Sequence, residues 1–209
     1  MHSKQHSRGF SLIELLVSIS ILVAISTLIL VNQNRFGGTI SLSNLAYQVA
    51  LTIRQAQTYG FSVREAQEGT GNFTPSFGVH FASNSPYTYI LFADKNGSGR
   101  YENYDNDGNQ IPDENFAYFV ISGNKSISSF CGIFANGSQK CNPTITSLDI
   151  LFKRPDPDAI IKSDIVADTY SSARITLKAG EGLTRGITVV STGQIGVDPT
   201  SSTTNGIGY

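Results

Sequence analysis

Tryptophan is absent from the 209 residues, methionine occurs once, at position 1, and histidine only three times. Two of the histidines, His2 and His6, lie in the first nine residues, which leaves His80 alone in the body of the chain. A lone histidine in a strand-like run reads as structural, and a hydrolytic triad has no usable base. No zinc-ligand spacing and no phosphate-cradling glycine loop is present either, so the residues argue against an enzyme. Charged residues make up 15% of the chain, below the usual quarter, and the formal charge is −1. That balance disfavours nucleic acid as a partner. Gly, Ser, Thr and Asn are plentiful instead, a composition that fits an exported, β-rich surface protein.

One long apolar run is present. From Phe10 to Val31 the chain has 22 residues, and Glu14 is the single charged one. At ~1.5 Å per residue, a helix of that length crosses a hydrocarbon core of ~30 Å. The preceding MHSKQHSRG carries Lys4 and Arg8 and no acid, which places the N-terminus on the cytoplasmic side and the bulk of the chain across the membrane. A cleaved signal peptide, with Ala24-Ile25-Ser26 at its cut, is one reading, but the apolar run continues to Val31. A plain anchor is a second, and it leaves Glu14 unexplained, since an acid within a spanning helix costs roughly 2.5–3.5 kcal/mol. Cleavage between Gly9 and Phe10 is the third. It creates an α-amino group four residues before Glu14, and the two opposite charges can compensate one another in a low-dielectric setting.

The stretch RGFSLIELLVSISILVAI resembles the class III leader junction of type IV pilins and type II secretion pseudopilins. The resemblance implies a prepilin peptidase that cuts after Gly9 and N-methylates Phe10. It also implies that Glu14 bonds the N-terminal amine of a neighbouring subunit in the inner membrane. Removal of residues 1–9 takes Lys4 and Arg8 with it, so the formal charge falls from −1 to −3.

After Val31, Gly37-Gly38 is expected to break or loosen the helix. Leu42, Leu45, Val49, Ile53 and Ala56, three or four apart, mark an amphipathic helix, with Ser41 or Ser43 as cap and Gly60 as stop. Strands are expected at Phe77–Ala82, Thr88–Ala93, Ala117–Ser122, Ser128–Phe134, Leu148–Lys153, Ala173–Lys178, Gly186–Ser191 and Gln194–Val197. Turn signals separate them at Asn96-Gly97, Asp107-Gly108, Asn136-Gly137 and Thr192-Gly193. The expected organisation is a leader (1–9), an assembly helix (10–36), an amphipathic helix (37–60), a β-rich head (61–198) and a loose tail (199–209). Its fold class is α+β: a long N-terminal helix packed on an antiparallel sheet, the pilin fold.

NLAYQVALTIRQAQTYGFSVRE is similar to the helix of GspH/FimT-type minor pseudopilins, through Leu45, Val49, Ala56, Gly60 and Val63. Ile53 holds the place of that pattern's arginine, and Arg54 follows one residue late. TRGITVVSTGQIGV is similar to the family's final hairpin through Arg185, Ile187, Val189 and Gly193. Gln194 and Gly196 stand where two arginines, implicated in gripping phosphate in DNA-binding members, usually occur. Without them, DNA capture lacks its basic strip.

Residues 94–114 form the most chemically loaded stretch, with six acids and two bases. Against the calcium-loop template D-x-[DN]-x-[DN]-G-x5-E, Asp94, Asn96 and Ser98 fill positions 1, 3 and 5, and Gly99 the turn. Arg100 offers its carbonyl, Glu102 takes position 9 and Asp105 position 12. Ca²⁺ is the cofactor this spacing implies, since it takes six to eight oxygens at ~2.3–2.6 Å. The alternative is a pair of hairpin turns carrying solvated acids. Cys131 and Cys141 flank GIFANGSQK, whose Asn136-Gly137 turn would bring the sulfurs across from one another. In an exported chain that favours a disulfide over two free thiols or a metal pair.

The reading is thus of a non-enzymatic filament subunit, a minor pilin or pseudopilin. It is single-pass in the inner membrane, with the head in the periplasm or on the cell surface within the filament. The alternative is a calcium-dependent surface adhesin on a membrane tether.

Overall fold

The computed structural model describes residues 10–62, 75–102 and 114–199 and the backbone of 201–202, with the side chains of 31–36 and 181 left aside. Gly9, Val63, Asp105, Asp107 and Asp113 fall outside the described residues. Helix α1 is assigned over Leu12–Phe61. The strands are β1 (Ser76–Ala82), β2 (Thr88–Asp94), β3 (Asn115–Val120), β4 (Lys125–Ile133), β5 (Gln139–Cys141) and β6 (Ser147–Phe152). They continue as β7 (Ala159–Ser163), β8 (Ser172–Ala179), β9 (Leu183–Val190), β10 (Ile195–Val197) and β11 (Ser201–Ser202). The chain divides into two compact units at Gly38/Thr39.

Where a break or a loosening is expected, the helix continues through Gly37-Gly38, and the division between the two units falls there. Each glycine costs about 1 kcal/mol relative to alanine, which weakens a helix without forbidding it. Ser41 and Ser43 are therefore interior residues and not caps. Their hydroxyls accept hydrogen bonds from Lys125 Nζ, at 2.7 Å, and from the Arg185 guanidinium.

In the second unit the chain is α+β. Leu42, Leu45, Ala46, Val49, Ala50, Ile53 and Ala56 form one buried helical face. They share a single core with residues of two antiparallel sheets. The first sheet has the order β3-β2-β1-β6-β7, and the second β10-β9-β8-β4-β5, with β11 paired to β9. The single sheet expected from the strand runs is thus two. All eight expected strands are present at or near their expected positions; β5, β7 and β11 are additional. Ser201–Ser202, in the stretch read as a loose tail, pair with Leu183–Thr184.

Alternation along the strands explains the shared core. Val79 and Phe81 of β1, with Leu148, Ile150 and Phe152 of β6, point inward at period two. On the helix, Gly60 does more than end a turn. A Cβ there would stand 2.6 Å from the Phe152 carbonyl oxygen, so only glycine allows the last turn to lie against β6. Arg54 donates to the Ile195 carbonyl at 3.2 Å, and Gln57 donates to the Gly193 carbonyl at 3.0 Å. These two bonds tie the helix to the β9–β10 hairpin.

Cys131 and Cys141 are cross-strand partners on β4 and β5 and form a disulfide. Their sequence separation of 10 closes a short loop. Removing the link from the unfolded chain's constraints costs about 2.5–3 kcal/mol for a loop of this size. A Cys131→Ala/Cys141→Ala chain is therefore expected to melt about 5–10 °C lower by calorimetry. A shift below about 2 °C would mean that the hairpin holds without the bond.

Candidate functional site

The N-terminal unit contains an apolar span, Leu12–Leu30, of 19 residues and mean hydropathy 2.5. None of it is buried within the chain, so its leucines, isoleucines and valines face outward all round. A helix apolar on every side needs a membrane or other helices as its surroundings. Phe10 is exposed just before the helix. Glu14 lies in the first turn, where its Oε2 accepts the Ser11 N–H at 3.5 Å and its own N–H donates to Ser11 Oγ at 3.3 Å. This reciprocal pair is a capping box. The S-x-x-E spacing was legible in the sequence, and it gives Glu14 a role within its own chain in addition to any role between chains.

A second cluster lies on the first sheet, on the face away from the core. His80 of β1 and Asp149 of β6 are register partners, and His80 Nδ1 lies 2.6 Å from Asp149 Oδ1. Asp149 is buried although it points away from the core, because the segment after β2 folds across this face. Tyr101 places its ring 4.6 Å from the His80 ring and 5.5 Å from that of Phe92. Burial pushes the Asp149 carboxyl above its ordinary range; the His80 hydrogen bond and charge, the Tyr101 backbone N–H and the Arg100 charge pull it down by less. Among the described residues the hydrogen-bond partner of the His80 ring is Asp149. The pair holds the covering segment to the sheet.

The acidic segment itself is ordered by its own side chains. Asp94 Oδ2 accepts the Gly99 N–H and the Ser76 hydroxyl, both at 3.0 Å. Asn96 Oδ1 accepts the Ser98 N–H at 2.9 Å, and Asn96 Nδ2 donates to Glu102 Oε2 at 2.7 Å. The Ser98 hydroxyl and the Arg100 carbonyl are 3.2 Å apart. Glu114 lies beside this segment and accepts the Glu102 N–H at 2.8 Å. Burial pushes the Glu114 carboxyl up to about 7, and the Asp94 and Glu102 charges add to the rise, while backbone N–H groups of Glu102 and Lys95 oppose it. Among the described residues no three His, Cys, Asp or Glu side chains form a metal-holding group. Gln194 and Gly196, on the other sheet, bring no charge to the final hairpin. Arg185 is engaged with Ser43 and stacks on Tyr47 at 5.2 Å.

An uncovered apolar N-terminal helix followed by a helix-packed pair of antiparallel sheets is an α+β arrangement consistent with the pilin fold. Residues 4–30 match the family described as the prokaryotic N-terminal methylation motif, so the chain carries a type IV pilin-like prepilin signal. That match takes in Gly9, Phe10 and Glu14 and ends before the head. Neither the curated proteins nor the solved structures contain a significant match to the chain.

Proposed function

We propose that this chain is a structural subunit of a type IV pilus or a type II secretion pseudopilus, a minor pilin or pseudopilin of GspH/FimT type. The observation that carries the reading is the methylation motif over residues 4–30, which runs into an apolar span with no cover of its own. Prepilin peptidase cuts after Gly9 and Phe10 is methylated. The N-terminus faces the cytoplasm, and the head stands in the periplasm or on the filament surface. Packing of the apolar helix against its counterparts in other subunits then replaces the surrounding lipid with van der Waals contact between helices.

Intact mass of the membrane-extracted protein tests the processing step. The expected mature chain begins at Phe10 and carries one added methyl group. A mass that retains residues 1–9, or that begins after Ala24-Ile25-Ser26, would overturn the reading. A deletion strain scored for surface pili and for exoprotein release separates the two machines. Lost pili with normal release point to a pilus, and stranded exoproteins with intact pili to a pseudopilus.

A further inference from the structure

Asp94 ends β2 and Glu114 immediately precedes β3. The register pairs Phe92 with Asn115, and the Ala93 N–H donates to the Glu114 carbonyl at 2.9 Å. Sheet pairing sets Glu114 opposite Ala93 and so brings it next to Asp94, one position out of register, although 20 residues separate the two acids in the chain. Both are buried, at 2% and 5% exposure. One oxygen of each is used within the fold, Asp94 Oδ2 by Gly99 and Ser76 and Glu114 Oε2 by Glu102. Asp94 Oδ1 and Glu114 Oε1 are also buried, and neither has a hydrogen-bond partner. A buried carboxylate oxygen without a donor is costly, and two in one place cost more, unless a positive charge joins them.

We propose that Asp94 and Glu114 together bind a divalent cation, Ca²⁺ by its ligand chemistry, with the Asn96 and Ser98 side chains and the Arg100 carbonyl completing the site. Every donor is an oxygen, two anionic and three neutral, which suits a hard cation that accepts irregular geometry. Gly97 and Gly99 both have φ near +75°, so the chain turns tightly enough to present these atoms from one side. Glu114 takes the closing role that linear spacing assigns to Asp105. The template could not find it, because β2–β3 pairing and not chain distance brings it into place. With two carboxylates, the site falls in the affinity class of extracellular modules, Kd of ~10⁻⁴–10⁻³ M. Binding would lock the segment that Tyr101 lays over His80 and Asp149. The inference is independent of the filament reading.

The test uses the full chain in detergent micelles, followed by thermal unfolding and calorimetric titration with CaCl₂, MgCl₂ or EGTA. At a hundredfold excess over Kd, Ca²⁺ is expected to raise Tm by about 5–10 °C. Mg²⁺ should do much less, because it demands tighter octahedral geometry. In Glu114→Gln the Ca²⁺ shift should disappear and affinity fall roughly tenfold or more, while Tm in EGTA stays at or above that of the unsubstituted chain. Asp105→Asn should keep the shift. Absence of any Ca²⁺ shift or binding heat in the unsubstituted chain would overturn the proposal. So would a Glu114→Gln chain that binds undiminished, or one whose site is lost equally with Asp105→Asn.

Discussion

A Glu14→Val chain is expected to enter the membrane, lose residues 1–9 and then fail to join filaments almost completely. Three terms bear on Glu14. A charge at the centre of an apolar span costs roughly 2.5–3.5 kcal/mol and one in the first turn less, so insertion alone would favour valine. Its capping box with Ser11 returns about 0.5–2 kcal/mol, which offsets only part of that cost. The remainder calls for a positive partner, and the amine that the proposed cleavage before Phe10 would expose is the nearest source. Glu14→Gln separates the two roles. Glutamine keeps the capping geometry and discards the charge. If Glu14→Gln assembles normally, helix capping is the whole of the role and the charge pairing proposed between subunits is wrong. If Glu14→Gln fails as Glu14→Val does, while both remain membrane-inserted and processed, the charge carries assembly. A tethered adhesin would bind its surface ligand equally well with either variant.

His80→Ala is expected to cost the head roughly 3 kcal/mol, or about 6–12 °C in Tm, because it strips Asp149 of its main partner while leaving the carboxylate buried. The loss should depend on pH in a stated direction. Burial raises the folded-state value of Asp149 above the ordinary carboxylate range, so the folded chain holds its proton more tightly than the unfolded one. Such a group favours folding below the unfolded value and loses that contribution as pH rises through the folded one. Without His80 to offset the charge, the gap between His80→Ala and the parent should be widest near neutrality. It should narrow as the pH falls and Asp149 takes up its proton. The double change His80→Leu/Asp149→Leu should cost less than His80→Ala alone, since no charge is left behind. Equal melting of His80→Ala and the parent at every pH would show that the Tyr101 backbone N–H and the Arg100 charge suffice to hold Asp149.

Local chemistry was the most legible part of the chain. The methylation motif, the uncharged run around Glu14 and the helical spacing from Leu42 to Ala56 are all properties of consecutive residues. The same is true of the eight strand runs with their Asn-Gly and Thr-Gly turns, because period and turn chemistry act within a few residues. The cysteine pairing was legible for the same reason, as a single hairpin holds both residues. Strands β5 and β7 were missed because three and five residues carry too little pattern. They exist because β4 and β6 offer edges to pair with.

Long-range placement decided the rest. Division of the strands between two sheets depends on which edges meet around the helix, and no window of sequence encodes that choice. The His80–Asp149 pair joins residues 69 apart, on a face that alternation alone would assign to solvent. Tyr101 buries it only because the segment after β2 turns back over the sheet. Glu114 comes near Asp94 because β2 pairs with β3, the Ala93 N–H donating to the Glu114 carbonyl. Local sequence thus specified the longer elements, the apolar span and the processing signal, since those depend on short-range sterics and hydropathy. The buried charges were set by tertiary packing, because desolvation depends on what covers a residue and not on what precedes it.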